Sequence, residues 1–390
     1  MAGIFMEIGL AALAICVLLV GLHPFVTYPA TLCLIARLAP RPVSAWKEVP
    51  ESATVAVCVC AYNEQSVIRE RIENLLAMRA SFPRLELLVY VDAATDQTAE
   101  ILRSYDHQVR VFVSPERRGK TYGMNLLVAA TRADFVIFSD ANVMFAPDAL
   151  RHLLRHFGDP EVGCVCGHLI YTSPHDSGVA AVGTGYWRLE EFIKEFESRT
   201  GSTMGADGSI FAVRRVLHEP PPPDIIDDMF VSLSILCRGY RVVRAADALA
   251  YEQVASHRSD EFRRKVRISC QAFNVHRLLT GELRTMSALN RYKYISHKLL
   301  RWLTGYFLAT SNLLLAVALG IAGKWFIVLA VLGTGGVTAL FGAAFPHGRA
   351  ARLLSIAEAF VGTSVGVFRS ICGDRFQTWN PPASARSRET

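Results

Sequence analysis

The chain has 390 residues, of which 51% are hydrophobic and only 19% charged, and its formal net charge is +6. A mean hydropathy of +0.26 excludes intrinsic disorder and is too high for an ordinary water-soluble enzyme of this length. The length points to two or three structural units rather than one compact core.

The apolar excess is concentrated. Residues 8–36, 302–323 and 325–346 contain no Asp, Glu, Lys or Arg. Each stretch reaches the ~20 residues that a helix needs to cross a bilayer. His23-Pro24 and Pro29 interrupt the first stretch, which reads as one kinked span. A cleaved signal peptide is the alternative, but no basic region precedes the apolar run. Residues 353–368 are weaker, with Glu358 inside them and Gly362 and Gly366 thinning the pattern. They read as a tilted span, a re-entrant segment or an interfacial helix.

Arg37, Arg41 and Lys47 follow the first span, and Arg291, Lys293, Lys298 and Arg301 precede the second. Only Lys324 separates the second from the third. Basic residues mark the cytoplasmic side, so residues 37–301 are expected in the cytoplasm and Lys324 outside. This clustering against anionic lipid accounts for the net charge. No zinc-finger, helix-turn-helix or RRM signature supports a nucleic-acid partner. The expected division is a membrane helix over 1–36, a cytoplasmic domain over 37–300, a membrane region with two or three spans over 301–372, and a tail over 373–390.

Between the spans, short apolar runs alternate with helical patterns. Strands are expected at 54–60, 85–91, 109–113, 135–139 and 162–169, with helices following at residues 63–76, 98–104, 122–131 and 147–157. Such alternation predicts an α/β domain with a doubly wound, mostly parallel sheet. Ligands in these sheets bind beyond the carboxyl ends of the strands. Cys58 and Cys60, like Cys164 and Cys166, alternate on strands and read as buried thiols rather than zinc ligands. No Gly-x-Gly-x-x-Gly follows the first strand, and Ser114 stands where a P-loop before Gly119-Lys120-Thr121 needs glycine. These absences exclude a nicotinamide dehydrogenase and a P-loop ATPase.

Acidic residues occupy the strand ends instead. Asp92 follows the second strand, and Asp140-Ala141-Asn142 follows the fourth. A carboxylate and an amide oxygen two residues apart can hold a hard divalent cation, although Asp and Asn also serve there as turn formers. Adjacent Asp227 and Asp228 disfavour joint ionisation, which raises one pKa, or they simply open a helix. Arg264 and Arg267 share a face of a basic amphipathic helix expected over 259–280, suited to a diphosphate or to a membrane surface. Tyr186, Trp187, Phe192 and Phe196 follow helical spacing, which favours packing over sugar stacking.

Seven motifs stand in order: Cys60-Ala61-Tyr62-Asn63-Glu64, Asp92-Ala93-Ala94-Thr95-Asp96, Arg118-Gly119-Lys120, Asp140-Ala141-Asn142, Gly205-Ala206-Asp207-Gly208, Asp227-Asp228 and Arg264-Lys265-Val266-Arg267. With them the sequence resembles the family 2 inverting glycosyltransferases, especially the membrane-embedded synthases of cellulose, hyaluronan and poly-N-acetylglucosamine type. The resemblance implies a nucleotide-diphosphate-sugar transferase fold with transmembrane helices. It implies that Tyr62, Glu64 and Asp92 line a nucleoside pocket with Lys120 close by. It further implies that Asp140 and Asn142 hold Mg2+ or Mn2+ on the diphosphate, that Arg264 and Arg267 contact the phosphates, and that Asp228, beside Asp227, is the catalytic base. Asn142 departs from the family's Asp-x-Asp, and Ile268 stands where processive synthases carry Trp after Gln-x-x-Arg.

The expected activity is therefore metal-dependent hexosyl transfer from a nucleotide-diphosphate sugar, UDP-linked, to a growing polysaccharide. The expected setting is a multi-pass protein of the cell (inner or plasma) membrane, acting as a homo-oligomer or with an export partner. Single-sugar transfer to a lipid-linked acceptor is the alternative, and an inert sugar-nucleotide-binding scaffold is the rival of another class.

Overall fold

The computed structural model describes residues 2–172, 178–253, 258–345 and 348–378. In chain order the helices and strands are α1 Ala2–Leu22, α2 Thr27–Leu38, β1 Val55–Ala61, α3 Ile68–Ala77, β2 Glu86–Asp92, α4 Thr98–Arg103, β3 Arg110–Ser114 and α5 Lys120–Ala129. There follow β4 Phe135–Asp140, β5 Val143–Phe145, α6 Ala149–Leu154, β6 Val162–Thr172, α7 Gly178–Arg199, β7 Ile210–Arg214, α8 Asp227–Cys237 and β8 Arg241–Gln253. The chain continues through α9 Arg258–Leu278, α10 Ala288–Tyr294, α11 Leu300–Ile321, α12 Trp325–Ala344 and α13 Arg349–Ile371. The end of the tail, from residue 379, lies outside the described residues.

The sheet runs β3-β2-β1-β4-β7-β6-β8-β5. Strands β3, β2, β1 and β4 are parallel, and β7 enters antiparallel between β4 and β6. The mostly parallel doubly wound sheet expected from the sequence is thus present. The odd residues of β1, Val55, Val57 and Val59, pack under α3, α4 and α6. The even ones, Ala56, Cys58 and Cys60, pack under α5, α8 and α9. Both faces are covered, which is why β1 is buried at every position and reads as a continuous apolar run. The paired cysteines are buried free thiols.

Among the described residues, four helices are long and apolar enough to cross a membrane: Gly3–Leu22, Ala288–Ile321, Trp325–Ala344 and Arg349–Ile371. The run 8–36 is not a single kinked span. It breaks at residues 23–26, where the His23 ring bonds Thr27 and Ser296. Beyond the break, Tyr28 and Leu32 of α2 turn against Ile193 of α7. Helix α1 lies along α11, with Ser311 donating to the Ala14 carbonyl at 2.8 Å. The weak 353–368 segment belongs to one continuous helix, α13. Gly362 and Gly366 lie on the face that meets α9, and a Cβ on Gly366 would stand 2.5 Å from the Val266 carbonyl. The glycines that dilute the hydropathy are therefore the contact itself.

Between α10 and α11 the helix widens into a π turn, Ile295–Leu299. It carries His297 between Glu190 and Glu197 of α7, at 3.1 and 2.8 Å. Buried Lys293 donates to the carbonyls of Glu197, Thr200 and Ser202 at the end of α7. These bonds fasten the apolar helices to the sheet domain.

Candidate active site

The carboxyl ends of β1, β2 and β4 meet in one crevice, as parallel strands dictate. Two of its loops begin with left-handed residues that are not glycine, Asn63 (φ 54°) and Ala93 (φ 52°). They hold each other: Asn63 accepts from the Thr95 amide at 2.8 Å, and Asp96 accepts from the Gln65 amide at 3.1 Å. Asp96 also accepts from the Thr98 amide at 3.0 Å, so it forms the turn and opens α4.

Asp92 is fully buried. Its carboxylate accepts from Arg117 Nε at 3.0 Å, the Arg118 amide at 2.7 Å, the Gly119 amide at 3.1 Å and Tyr90 Oη at 3.2 Å. It therefore shapes the loop before α5. The Arg117 guanidinium then lies over the Tyr62 ring, 3.3 Å from its centroid, giving a flat cationic wall at the mouth of the crevice. Glu64 is buried behind this wall, and its amide donates to Thr98 Oγ1 at 2.8 Å. The far side of the loop meets the chain end. Gln377 donates to the Arg118 carbonyl at 3.0 Å, and a Cβ on Gly119 (φ +88°) would stand 2.1 Å from the Gln377 carbonyl.

A second cluster lies deeper. Lys120 Nζ sits 2.7 Å from Asp140 Oδ1 and 3.9 Å from Asp227 Oδ2. Burial opposes its charge, but Asp140, Asp227 and Asp228 outweigh burial and hold the ammonium protonated. Asp227 Oδ2 is buried and has no hydrogen-bond partner among the described residues. Asp228 shares the first turn of α8 with Asp227. Burial and then the charge of Asp227 push it up to about 7, with Lys120 pulling the other way. Gly208 makes room for it, since a Cβ there would stand 2.6 Å from Asp228 Oδ2. Asp207 is held by Lys194 at 3.6 Å, and Lys194 also pairs with Glu191 at 3.1 Å.

Asn142 lies beside β8, where its amide nitrogen donates to Glu252 at 3.1 Å. Burial, followed by Asp140, pushes Glu252 up to about 7. Arg267, on α9, donates to Gln271 at 3.2 Å. Burial and neighbouring Arg264 lower it, while Asp140 and Asp228 pull it back, which places it over the same cluster. Arg264 pairs at 3.3 Å with Glu261, one turn earlier.

Residues 56–219 match the model of glycosyl transferase family 2. The similarity to family 2 glycosyltransferases thus runs from β1 through β7. A poly-beta-1,6-N-acetyl-D-glucosamine synthase of Staphylococcus aureus is 25% identical over 205 residues, 50% of this chain and 48% of that one. An N-acetylglucosaminyltransferase of a Rhizobium species is 23% identical over 256 residues, 61% of this chain and 56% of that one. The chain thus spans about half the length of the curated relatives it matches. Among solved structures, a mannosyltransferase from Pyrobaculum calidifontis, in complex with GDP-Man and Mn2+, superposes with a TM-score of 0.71 at 22% identity. That match covers 93% of this chain and 99% of the other, and the shared fold is the GT-A glycosyltransferase fold.

Within the sheet domain, the structure gathers Lys120, Asp140, Asp227 and Asp228 into one cluster and puts Tyr62, Glu64 and Asp92 at the neighbouring loops. Lys120 was expected beside the nucleoside pocket, yet its ammonium lies among the carboxylates. Tyr186, Trp187, Phe192 and Phe196 pack as helical spacing suggests: Trp187 donates to the Leu169 carbonyl, and Phe192 meets Phe196 at 4.5 Å. Sequence reasoning missed Arg117, Lys194 and Glu252. Only the register of β8 against β5, which pairs Val143 with Glu252, brings that acid beside Asn142.

Proposed function

We propose that this protein is a membrane-embedded inverting glycosyltransferase that moves a sugar from a UDP-sugar to a growing polysaccharide. The observation that carries the reading is Asp228, half-buried beside Asp227 and Gly208 at the floor of the crevice, with an elevated pKa of about 7. A group titrating there is ionised often enough at neutral pH to accept a proton. In the reaction, the acceptor hydroxyl loses its proton to Asp228 as its oxygen bonds the anomeric carbon. The bond from that carbon to the phosphate oxygen breaks on the opposite face, and the nucleoside diphosphate leaves. Arg267 faces the leaving phosphates, where a guanidinium matches their geometry. The stacked Tyr62 and Arg117 offer a flat surface to the base.

Asp140 and Asn142 fit a divalent cation, Mg2+ or Mn2+, in a particular way. Among the described residues no three His, Cys, Asp or Glu side chains gather as a metal site. A two-donor protein site completed by substrate phosphates is the usual arrangement for such a cation. When bound, the cation would offset charge on the leaving diphosphate.

The relatives' names support a glycan product, the apolar helices support residence in the cell membrane, and the basic residues flanking them, such as Arg37 and Arg301, support a cytoplasmic sheet domain. Glu7 and Lys324 stand 3.8 Å apart, so the start of α1 and the α11–α12 turn share one side. A homo-oligomer or an export partner would carry the product across. Ile268, in place of Trp, favours a second reading, one sugar added to a lipid-linked acceptor. The test supplies membranes containing wild type or Asp228→Asn with labelled nucleotide sugars and a divalent metal, and sizes the products. The expected result is a water-soluble polymer from one UDP-sugar, absent in the variant. A single-sugar product extracted into organic solvent would replace the first reading with the second.

A further inference from the structure

We propose that Glu252 is the positioning residue that turns the amide oxygen of Asn142 toward the cation. The inference rests on the reading of Asp140 and Asn142 as a cation-holding pair, and it deepens that reading. A carboxylate at position 142 would need no such help, because its two oxygens are equivalent. An amide has one face that ligates a hard cation and one that repels it. Something must choose between the faces, and the structure supplies it. Asn142 Nδ2 donates to Glu252 Oε1 at 3.1 Å. Oε1 of Glu252 accepts from the amide nitrogen, which turns Nδ2 toward β8 and leaves Oδ1 on the other side.

The backbone fixes this arrangement. Glu252 lies on β8, flanked on one edge by β6, where it pairs with Tyr171, and on the other by β5, where it pairs with Val143. Thr172 Oγ1 donates to the Glu252 carbonyl at 3.2 Å, locking the strand. The three-residue strand β5 begins immediately after Asn142, so its pairing with β8 sets where the amide stands. The pair at 142 and 252 thus retains one carboxylate, displaced by one side chain from the position it occupies in Asp-x-Asp. The ligand class is a hard divalent cation carrying a nucleoside diphosphate. Partners that orient metal ligands commonly govern affinity by 10–100-fold.

The experiment is a double-mutant cycle on the full chain in detergent, reading bound Mn2+ by the loss of its free aqueous EPR signal in the presence of UDP. Glu252→Gln is isosteric but offers both a donor and an acceptor, so it no longer dictates the amide's face. It should weaken Mn2+ binding roughly tenfold or more. In the Asn142→Asp background the same substitution should carry no such loss, because an aspartate has no wrong face. Glu252→Met should repeat the pattern without any amide at position 252. Equal losses in both backgrounds would reduce Glu252 to a background charge and overturn the proposal. Wild-type Mn2+ affinity in Glu252→Gln would also overturn it. Wild type that retains no Mn2+ with UDP would instead overturn the metal reading beneath it.

Discussion

Two acidic regions share the crevice and are built in opposite ways. Around Asp92 the charge is answered, because four donors surround one buried carboxylate. Around Asp228 the answers run short: Lys120 and Arg267 are set against Asp140, Asp227 and Asp228, and one buried oxygen of Asp227 has no hydrogen-bond partner among the described residues. Satisfied carboxylates hold a shape, whereas crowded ones hold on to protons at higher pH and attract cations. The difference separates a scaffold that shapes the loop before α5 from a cluster fit for chemistry, although both are built of aspartates in one crevice.

That contrast can be broken by experiment. Asp228→Asn should leave a folded protein with transfer reduced on the order of 10³-fold, measured as kcat on purified enzyme. An enzyme that kept its rate would move the base elsewhere. Gly208→Ala comes next. Its Cβ would fall 2.6 Å from Asp228 Oδ2 and displace the carboxylate, so a loss on the order of 10²-fold in kcat is expected with an unchanged melting temperature. The pH profile is gentler. Asp228 is raised to about 7 and must be ionised to act, so the rate should fall about tenfold per pH unit below 7 and level off above it. The neighbouring charges of Asp227, Lys120 and Asp207 set that midpoint, and Lys120→Met should move it upward. Asp92→Asn should have the smallest effect on turnover. Its cost, about 1.5–3 kcal/mol, should appear in melting temperature and donor KM as the loop loses its charged acceptor.

The same division governs what could be read from the sequence. Strands β1 to β4 were legible to within a residue or two, most clearly β1 and β4, because strands buried on both faces are written as unbroken apolar runs such as Val55–Ala61. Strands β5, β7 and β8 were not. β5 is three residues long, and β8 mixes Arg244, Asp247 and Glu252 into its pattern because one end of it lines the crevice. The motifs located the Asp140, Asp227 and Asp228 cluster, since these acids follow strands or open a helix. They could not show that Lys120 leans into that cluster, which depends on α5 packing beside β1 and α8. Glu252 was invisible because its role arises from strand register and not from any local pattern. Charge counting likewise kept residues 8–36 as one unit, while the turn at 23–26 is fixed by His23 bonding to Ser296, far along the chain.

The stretch after α13 has a practical bearing on how this protein can be handled. Asp374 accepts from Asn274 at 3.0 Å, the Phe376 carbonyl accepts from Gln271 at 2.8 Å, and Arg375 pairs with Asp224 at 3.1 Å before Gln377 reaches Arg118. The loop that Asp92 organises from one side is thus buttressed on the other by residues that lie past every apolar helix. A water-soluble fragment cut before α11 would keep the strands and lose the buttress. Any shift of α13 would also tug on a peptide touching Gly119, so the placing of that helix and the shape of the loop before α5 become one variable.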